Sequence, residues 1–138
     1  MTLSVEERIN VSNYRLEKAK ESLNDSSLLF AHKSYNASAN RSYYAVLLAA
    51  RSLLILRGID PESHEGVKTM FAKEYIKTEL LPATYSDYFR NLQGRRIDSD
   101  YSDYVEINEL EAEDSLSKAK QFIASVEKLQ IDIIRKHT

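Results

Sequence analysis

The chain has 138 residues, enough for one domain with its own core, so neither disulfides nor a structural metal is needed to hold it together. It contains no cysteine, which excludes disulfides, thiolate metal centres and cysteine nucleophiles and agrees with a reducing compartment. With 19 Lys+Arg against 21 Asp+Glu its formal charge is −2, so it lacks the global positive field of a nonspecific nucleic-acid binder, and any nucleic-acid contact has to be local.

Three glycines and two prolines leave few breakpoints and favour long helices over a sheet with many turns. No apolar run approaches the ~20 residues of a membrane span, and Met1 to Glu7 lack a basic region followed by an apolar stretch. The expectation is a cytoplasmic protein with no membrane contact. Val5, Ile9, Leu16, Ala19 and Leu23 return to one face and predict a first helix from near Ser4 to about His32, with a turn from Lys33 to Asn36. Ala37 to Leu56 is apolar on nearly every face, which predicts a central helix covered on several sides. Gly58 supplies its stop, and Asp60-Pro61 or Ser63 offers the cap of a shorter helix from about Ser63 to Ile76, with Val67, Met70, Phe71 and Tyr75 inward. Pro82 closes a loop, after which Thr84 is the expected cap of a fourth helix carrying Tyr85, Tyr88, Phe89 and Leu92. Asn108 and Glu111 form a capping-box pattern for the last helix, whose apolar seam is Ala112, Leu116, Ala119, Ile123, Val126 and Ile133. Acidic residues at its start and Lys128, Arg135 and Lys136 toward its end match the helix dipole. The predicted fold is all-α: an antiparallel bundle of about four long helices plus one shorter helix, forming a single domain over residues 1–138.

Between the last two helical patterns the apolar period stops. The stretch Arg95-Arg96-Ile97-Asp98-Ser99-Asp100-Tyr101-Ser102-Asp103-Tyr104 gathers two guanidiniums, three carboxylates and two phenols, a mixture that builds no core. It is the first place to look for chemistry or a phosphate grip. Its carboxylates also touch an EF-hand pattern, with Asp98, Asp100, Ser102 and Glu109 at the first, third, fifth and twelfth places, but Asp103 stands where the sharp turn wants glycine. Arg–carboxylate pairing is the simpler account, and no metal site is expected.

The ordered set Ala39-Asn40-Arg41-Ser42-Tyr43-Tyr44-Ala45-Val46, Ala49-Ala50-Arg51, Arg57-Gly58 and Ser63-His64-Glu65-Gly66-Val67 resembles the HEPN domain, the helical "higher eukaryotes and prokaryotes nucleotide-binding" family. The similarity continues through Phe71 to Thr78, Arg96, Asp100-Tyr101, Asp103 and the acidic start of the last helix, and so runs from about Leu16 to Leu129. The resemblance implies a helical bundle, usually a homodimer, often made beside a minimal nucleotidyltransferase as the toxin half of a toxin–antitoxin pair. Active members resemble metal-independent endoribonucleases that need no cofactor. Their signature is an Arg, four to six residues, then a His near the start of the last long helix, facing the partner protomer's motif across a cleft. The Arg would stabilise charge on the phosphorane, and the His would exchange a proton with the attacking 2′-hydroxyl or the leaving oxygen.

At the matching position this chain has Arg96, four residues, then Tyr101. An unperturbed Tyr, with a pKa of ~10, is a poor base where His would serve, which weakens the ribonuclease expectation. The resemblance therefore implies Arg96 as the phosphate-stabilising group, Tyr101 in the acid/base position and Arg95 as an auxiliary. Asp100, Asp103, Tyr104 and Arg41 are further candidates for nucleotide or phosphate binding, and Tyr101 or Tyr104 for attachment of AMP. A literal Arg57, six residues, His64 match also exists, but it spans a helix end, and the plainer reading of His64 is a partly exposed residue opening a short helix. Core packing with a wet hydroxyl is the default for Tyr43 and Tyr44. Three functions stay open: a toxin-like protein acting on RNA, a non-catalytic nucleotide-binding or docking subunit for the nucleotidyltransferase, and a plain dimeric scaffold with no nucleotide role.

Overall fold

The computed structural model describes residues 2–101 and 106–137, and of residues 97–101 only the backbone. Five α-helices account for most of it: α1 (Val5–Ala31), α2 (Tyr35–Leu56), α3 (His64–Phe71), α4 (Thr84–Tyr101) and α5 (Glu109–Arg135). Four are long and α3 is short, as the sequence predicts. The side-chain pairings run α1 antiparallel to α2, through Ser12 with Ser52 and Ser26 with Ser38, and α4 antiparallel to α5, through Tyr85 with Ser125 and Arg95 with Asp114. The helix α2 packs against α1, α3, α4 and α5 and is the centre of the bundle. No helix of the described residues is long and apolar enough to cross a membrane.

Capping fixes where the helices start. Ser4 and Glu7 form a capping box at α1, Asn108 and Glu111 form the expected one at α5, and Ser63 accepts from the Gly66 N–H at α3. Two starts differ from the sequence reading. Chain reversal after α1 needs only the Lys33 N–H to Phe30 O and Ser34 N–H to Leu29 O bonds, with Lys33 at φ 62°, so α2 begins two residues earlier than Ala37. At α4 the Asp87 N–H bonds to the Ala83 carbonyl, so Thr84 already lies in the first turn.

At α1 the predicted stripe faces the core, with Leu16 and Ala19 buried and Ile9 and Leu23 half-buried against it, while Val5 is exposed and Ser12, Ser22 and Ser26 are buried beside the stripe. Ser12 and Ser26 meet Ser38, Ser42 and Ser52 of α2, all fully buried. Ser26 Oγ donates to the Ser38 carbonyl at 2.8 Å and lies 2.7 Å from Ser42 Oγ, while Ser38 Oγ donates to the Ser26 carbonyl at 2.9 Å. At the other end of the seam Ser12 Oγ donates to the Ser52 carbonyl at 2.6 Å and accepts from Gln130 of α5 at 3.0 Å. Small side chains let the two helices approach closely, and the hydroxyls of Ser12, Ser26, Ser38, Ser42 and Ser52 find partners in place of water.

On its other side α2 faces an aromatic knot. Phe71, Phe89 and Phe122, from α3, α4 and α5, have ring centroids 5.3 to 6.2 Å apart, and Tyr43 lies 6.2 Å from Phe89. Beyond α3 the expected helix to Ile76 is present as one widened π turn, Ala72–Ile76. The apolar steps Val67, Phe71 and Tyr75 are four residues each, longer than the α period of about 3.6, and the widened turn keeps Tyr75 inward, where its hydroxyl donates to the Leu53 carbonyl.

The clearest difference from the sequence reading is α4. Loss of apolar period places the stretch from Arg95 between helices, yet the helix continues to Tyr101. Burial sets apolar period, whereas helix continuity needs only permitted backbone, and no Gly or Pro follows Gly94 before the last helix.

Unfolding in urea tests the serine seam. Ser26→Ala loses hydroxyl pairing and is expected to cost about 1 kcal/mol, whereas Ser26→Leu wedges the helices apart and should cost about 3 kcal/mol.

Candidate functional site

Successive residues on an α-helix point about 100° apart, and Arg95 and Arg96 turn to different neighbours. Arg95 stands behind Tyr88 on the side of α4 that faces α5. Its Nη1 donates to Asp114 Oδ2 at 2.7 Å, Ser115 Oγ at 3.0 Å and the Glu111 carbonyl at 3.1 Å. Partial burial pushes the Asp114 carboxyl up, but the hydrogen bonds from Lys118 and Arg95 outweigh it and hold the group below the usual carboxylate range. This geometry ties Arg95 to the start of α5.

Arg96 follows Phe89 and Leu92 toward α2, where Tyr43 and Tyr44 sit one above the other's edge with centroids 5.5 Å apart. Its Nη2 donates to the Tyr44 hydroxyl at 2.9 Å, and the guanidinium carbon lies 5.5 Å from the Tyr44 ring centre and 5.9 Å from that of Tyr43. Arg41, one turn earlier on α2, places its guanidinium 4.8 Å from the Tyr44 ring and donates to Asn40 Oδ1 at 2.7 and 3.2 Å. Tyr44 thus carries two cations, one over its ring and one on its hydroxyl.

The fifth member is His64. Its Nδ1 lies 3.0 Å from the Tyr43 hydroxyl, and its ring meets Tyr44 edge-on at 87°, with centroids 6.0 Å apart. Several bonds fix its position at the start of α3. Arg51 of α2 donates to the Pro61 and Glu62 carbonyls at 3.2 and 3.3 Å, and Arg15 of α1 pairs with Asp60 at 3.1 Å, so the approach loop is held from two helices. Ser63 then caps the helix through the Gly66 N–H. A Cβ at Gly66 would stand 2.9 Å from Ser63 Oγ and 3.0 Å from Pro61 Cβ, which explains the glycine inside a helix. Glu65, next in line, is engaged by Lys68 and by Gln93 of α4 at 3.0 and 3.1 Å.

Among the described residues, three guanidiniums, Arg41, Arg51 and Arg96, surround two phenols and one imidazole, with the Glu65 carboxylate acting on Tyr43 in the opposite sense, and Arg41 and Arg51 make no ion pair. Burial lowers the His64 pKa, and the charges of Arg96 and Arg51 lower it further. Tyr43 is fully buried, and burial pushes its phenol up to about 12 despite Arg96 beside it, so it stays protonated. Its hydroxyl is therefore not wet, as expected from sequence, but bonded to His64. Such an arrangement can bind an anion through fixed N–H and O–H donors.

Of the sequence candidates, the structure brings Arg96 and Arg41 together at Tyr44 and turns Arg95 to α5. The side chains of Asp100 and Tyr101, and all of Asp103 and Tyr104, lie outside the described residues. The literal Arg57–His64 motif is not assembled, because Arg57 pairs with Glu74 at 3.2 Å and stacks 4.8 Å from the Tyr75 ring. His64 joins Arg96 instead, and sequence reasoning missed it. The available signal was the pair of phenols on an otherwise apolar helix, which needed a polar partner, and the Ser63-His64-Glu65-Gly66 cap, which delivers one.

A small helical bundle whose central helix presents a tyrosine pair to an arginine from the penultimate helix is the class that fold and site define. The sequence model of the HEPN domain matches residues 12–129, and the chain belongs to this family. It is 30% identical over 129 residues to a Thermotoga maritima protein called "UPF0332 protein", covering 94% of this chain and 98% of that one. It is 35% identical over 116 residues to a Methanocaldococcus jannaschii protein named "Putative toxin MJ0142", covering 84% and 79% of the two. Among solved structures it is similar in fold to TT1696 from Thermus thermophilus, with a TM-score of 0.74 at 20% identity over 86% of this chain and 97% of that one.

The lowered His64 pKa has a measurable consequence. The unfolded chain binds this proton near the ordinary value of ~6.5, before the folded protein does, so the contribution to stability is complete above that pH and is lost as pH falls through the folded value. NMR titration should place the His64 midpoint below that of a free histidine, and His64→Gln should lose less stability than the native protein between about pH 7 and 5. Arg95→Ala, which unties α4 from α5, should lower unfolding stability by about 1–2 kcal/mol.

Proposed function

We propose that this protein is the toxin-like partner of a minimal nucleotidyltransferase and acts on RNA as a cytoplasmic homodimer. The family match over residues 12–129, together with relatives named as toxins, supports the toxin-like reading. The observation that carries the site is Arg96, held by Tyr44 on a helix that runs to the motif position just before α5. In the reading proposed, Arg96 meets the phosphate and stabilises the charge that grows on its oxygens as the 2′-hydroxyl attacks, with Arg41 adding positive field. Tyr101 stands in the acid/base position, where a phenol exchanges a proton poorly near neutral pH, so cleavage is slow beside that of a protein with the motif histidine. Asp100, Asp103 and Tyr104 are further candidates for the nucleotide contact in this reading, and Tyr101 or Tyr104 is where the nucleotidyltransferase would attach AMP.

The Tyr at the motif position also favours a second reading, a non-catalytic subunit that binds a nucleotide and docks the nucleotidyltransferase. One assay separates them. Incubated with RNA, the native protein should produce cleavage that Arg96→Ala reduces by about 10²–10³-fold. Absence of cleavage by both proteins, with AMP bound by the native one, establishes the second reading and removes the first.

A further inference from the structure

We propose that His64 is the second phosphate ligand of the Arg96 site, offering its Nε2–H to a phosphodiester oxygen of an RNA strand, and that Tyr43 fixes the imidazole in the tautomer this requires. The inference rests on the reading of Arg96 as the phosphate-facing group.

Tyr43 is fully buried, and its hydroxyl has one hydrogen-bond partner among the described residues, His64 Nδ1 at 3.0 Å. Were Nδ1 the donor, the phenolic proton would be left without an acceptor inside the core, at a cost of about 1–3 kcal/mol. The hydroxyl therefore donates, Nδ1 accepts, and the neutral ring carries its own proton on Nε2. That nitrogen takes no partner among the described residues and is not among the buried polar atoms left without one, so it opens to solvent. It does so beside the Tyr44 ring, whose hydroxyl holds Arg96 Nη2 at 2.9 Å. A guanidinium and a fixed N–H donor thus flank one phenol.

The charges around the ring keep it a donor that is neutral. Arg51 and the two tyrosines reach it from α2 and Arg96 from α4, while Glu65 and Lys68 lie on its own helix, where each engages the other. The two arginines disfavour the imidazolium, and a bound phosphate would favour it. A neutral imidazole whose free nitrogen is already protonated cannot take the 2′-hydroxyl proton. It can orient a phosphate and polarise it, as a preorganised neutral donor does. His64 thus adds a phosphate contact without replacing the missing motif histidine as a base.

The test uses the full chain, labelled with ¹⁵N, and two probes: a 2′-O-methyl oligonucleotide, which has phosphodiesters but no attacking hydroxyl, and AMP. Long-range ¹H–¹⁵N spectra of the free protein should show His64 as the Nε2–H tautomer, and Tyr43→Phe, which keeps the ring volume, should give a tautomer mixture. The oligonucleotide should raise the His64 proton affinity about tenfold. His64→Ala should weaken oligonucleotide binding about tenfold, His64→Gln should recover most of it through an amide N–H near the Nε2 position, and Tyr43→Phe should weaken it about threefold. An Nδ1–H tautomer in the native protein, unchanged oligonucleotide binding in His64→Ala, or no binding by the native protein overturns the inference. A His64 response to AMP with none to the oligonucleotide overturns the strand as the ligand. If Arg96→Ala abolishes cleavage while His64→Ala binds normally, only this inference falls. If binding depends on His64 in a protein that cuts no RNA, only the nuclease reading falls.

Discussion

The bundle depends on how closely α1 and α2 approach. A leucine seam would hold the helices apart, whereas the paired serines let their backbones come near enough for a side-chain hydroxyl of one to reach a carbonyl of the other, as at Ser12 with Ser52 and at Ser26 with Ser38. Because each hydroxyl is used, the seam is polar without being wet. With α1 seated so tightly on one side, α2 can be enclosed by α3, α4 and α5 on the others, and a helix so enclosed must account for every polar group it carries.

That requirement links packing to the site. Tyr43 cannot reach water, so the hydroxyl demands a partner, and α3, which opens at His64, supplies it. Tyr44, half-buried one residue on, meets Arg96 from α4 and Arg41 from its own helix. The site is thus assembled from α2, α3 and α4 by satisfying two phenols, while the neighbouring Arg95 holds α4 against α5. One residue along a helix separates a structural arginine from the candidate phosphate group.

The fold was legible because its signals are local. Apolar period, the Asn108–Glu111 box, the Gly58 stop and the scarcity of breakers are each properties of short windows, and all five helices follow from them. The serine face of α1 was not legible, since serine reads as surface until a second helix is brought against it. The site was half legible. Arg96 and Arg41 carry the family pattern in sequence, but His64 lies 32 residues before Arg96, and only the return of the chain through α3 brings them together. Arg95 and Arg96 look equivalent in a string and diverge only once the helix assigns them directions. The end of α4 escapes a sequence reading because loss of apolar period looks the same as loss of helix.

Near the C-terminal end of α2, two consecutive carbonyls accept hydrogen bonds from other elements. The Ser52 oxygen accepts from Ser12 of α1, and the Leu53 oxygen accepts from Tyr75 of the π turn. Opening this part of α2 would require α1 and the segment after α3 to let go as well, which raises the free energy of local opening there. The tyrosine pair sits two turns away on the same rod. One wall of the candidate site is therefore braced by two other elements, and adjustment to a ligand falls to the side chains arriving from α3 and α4.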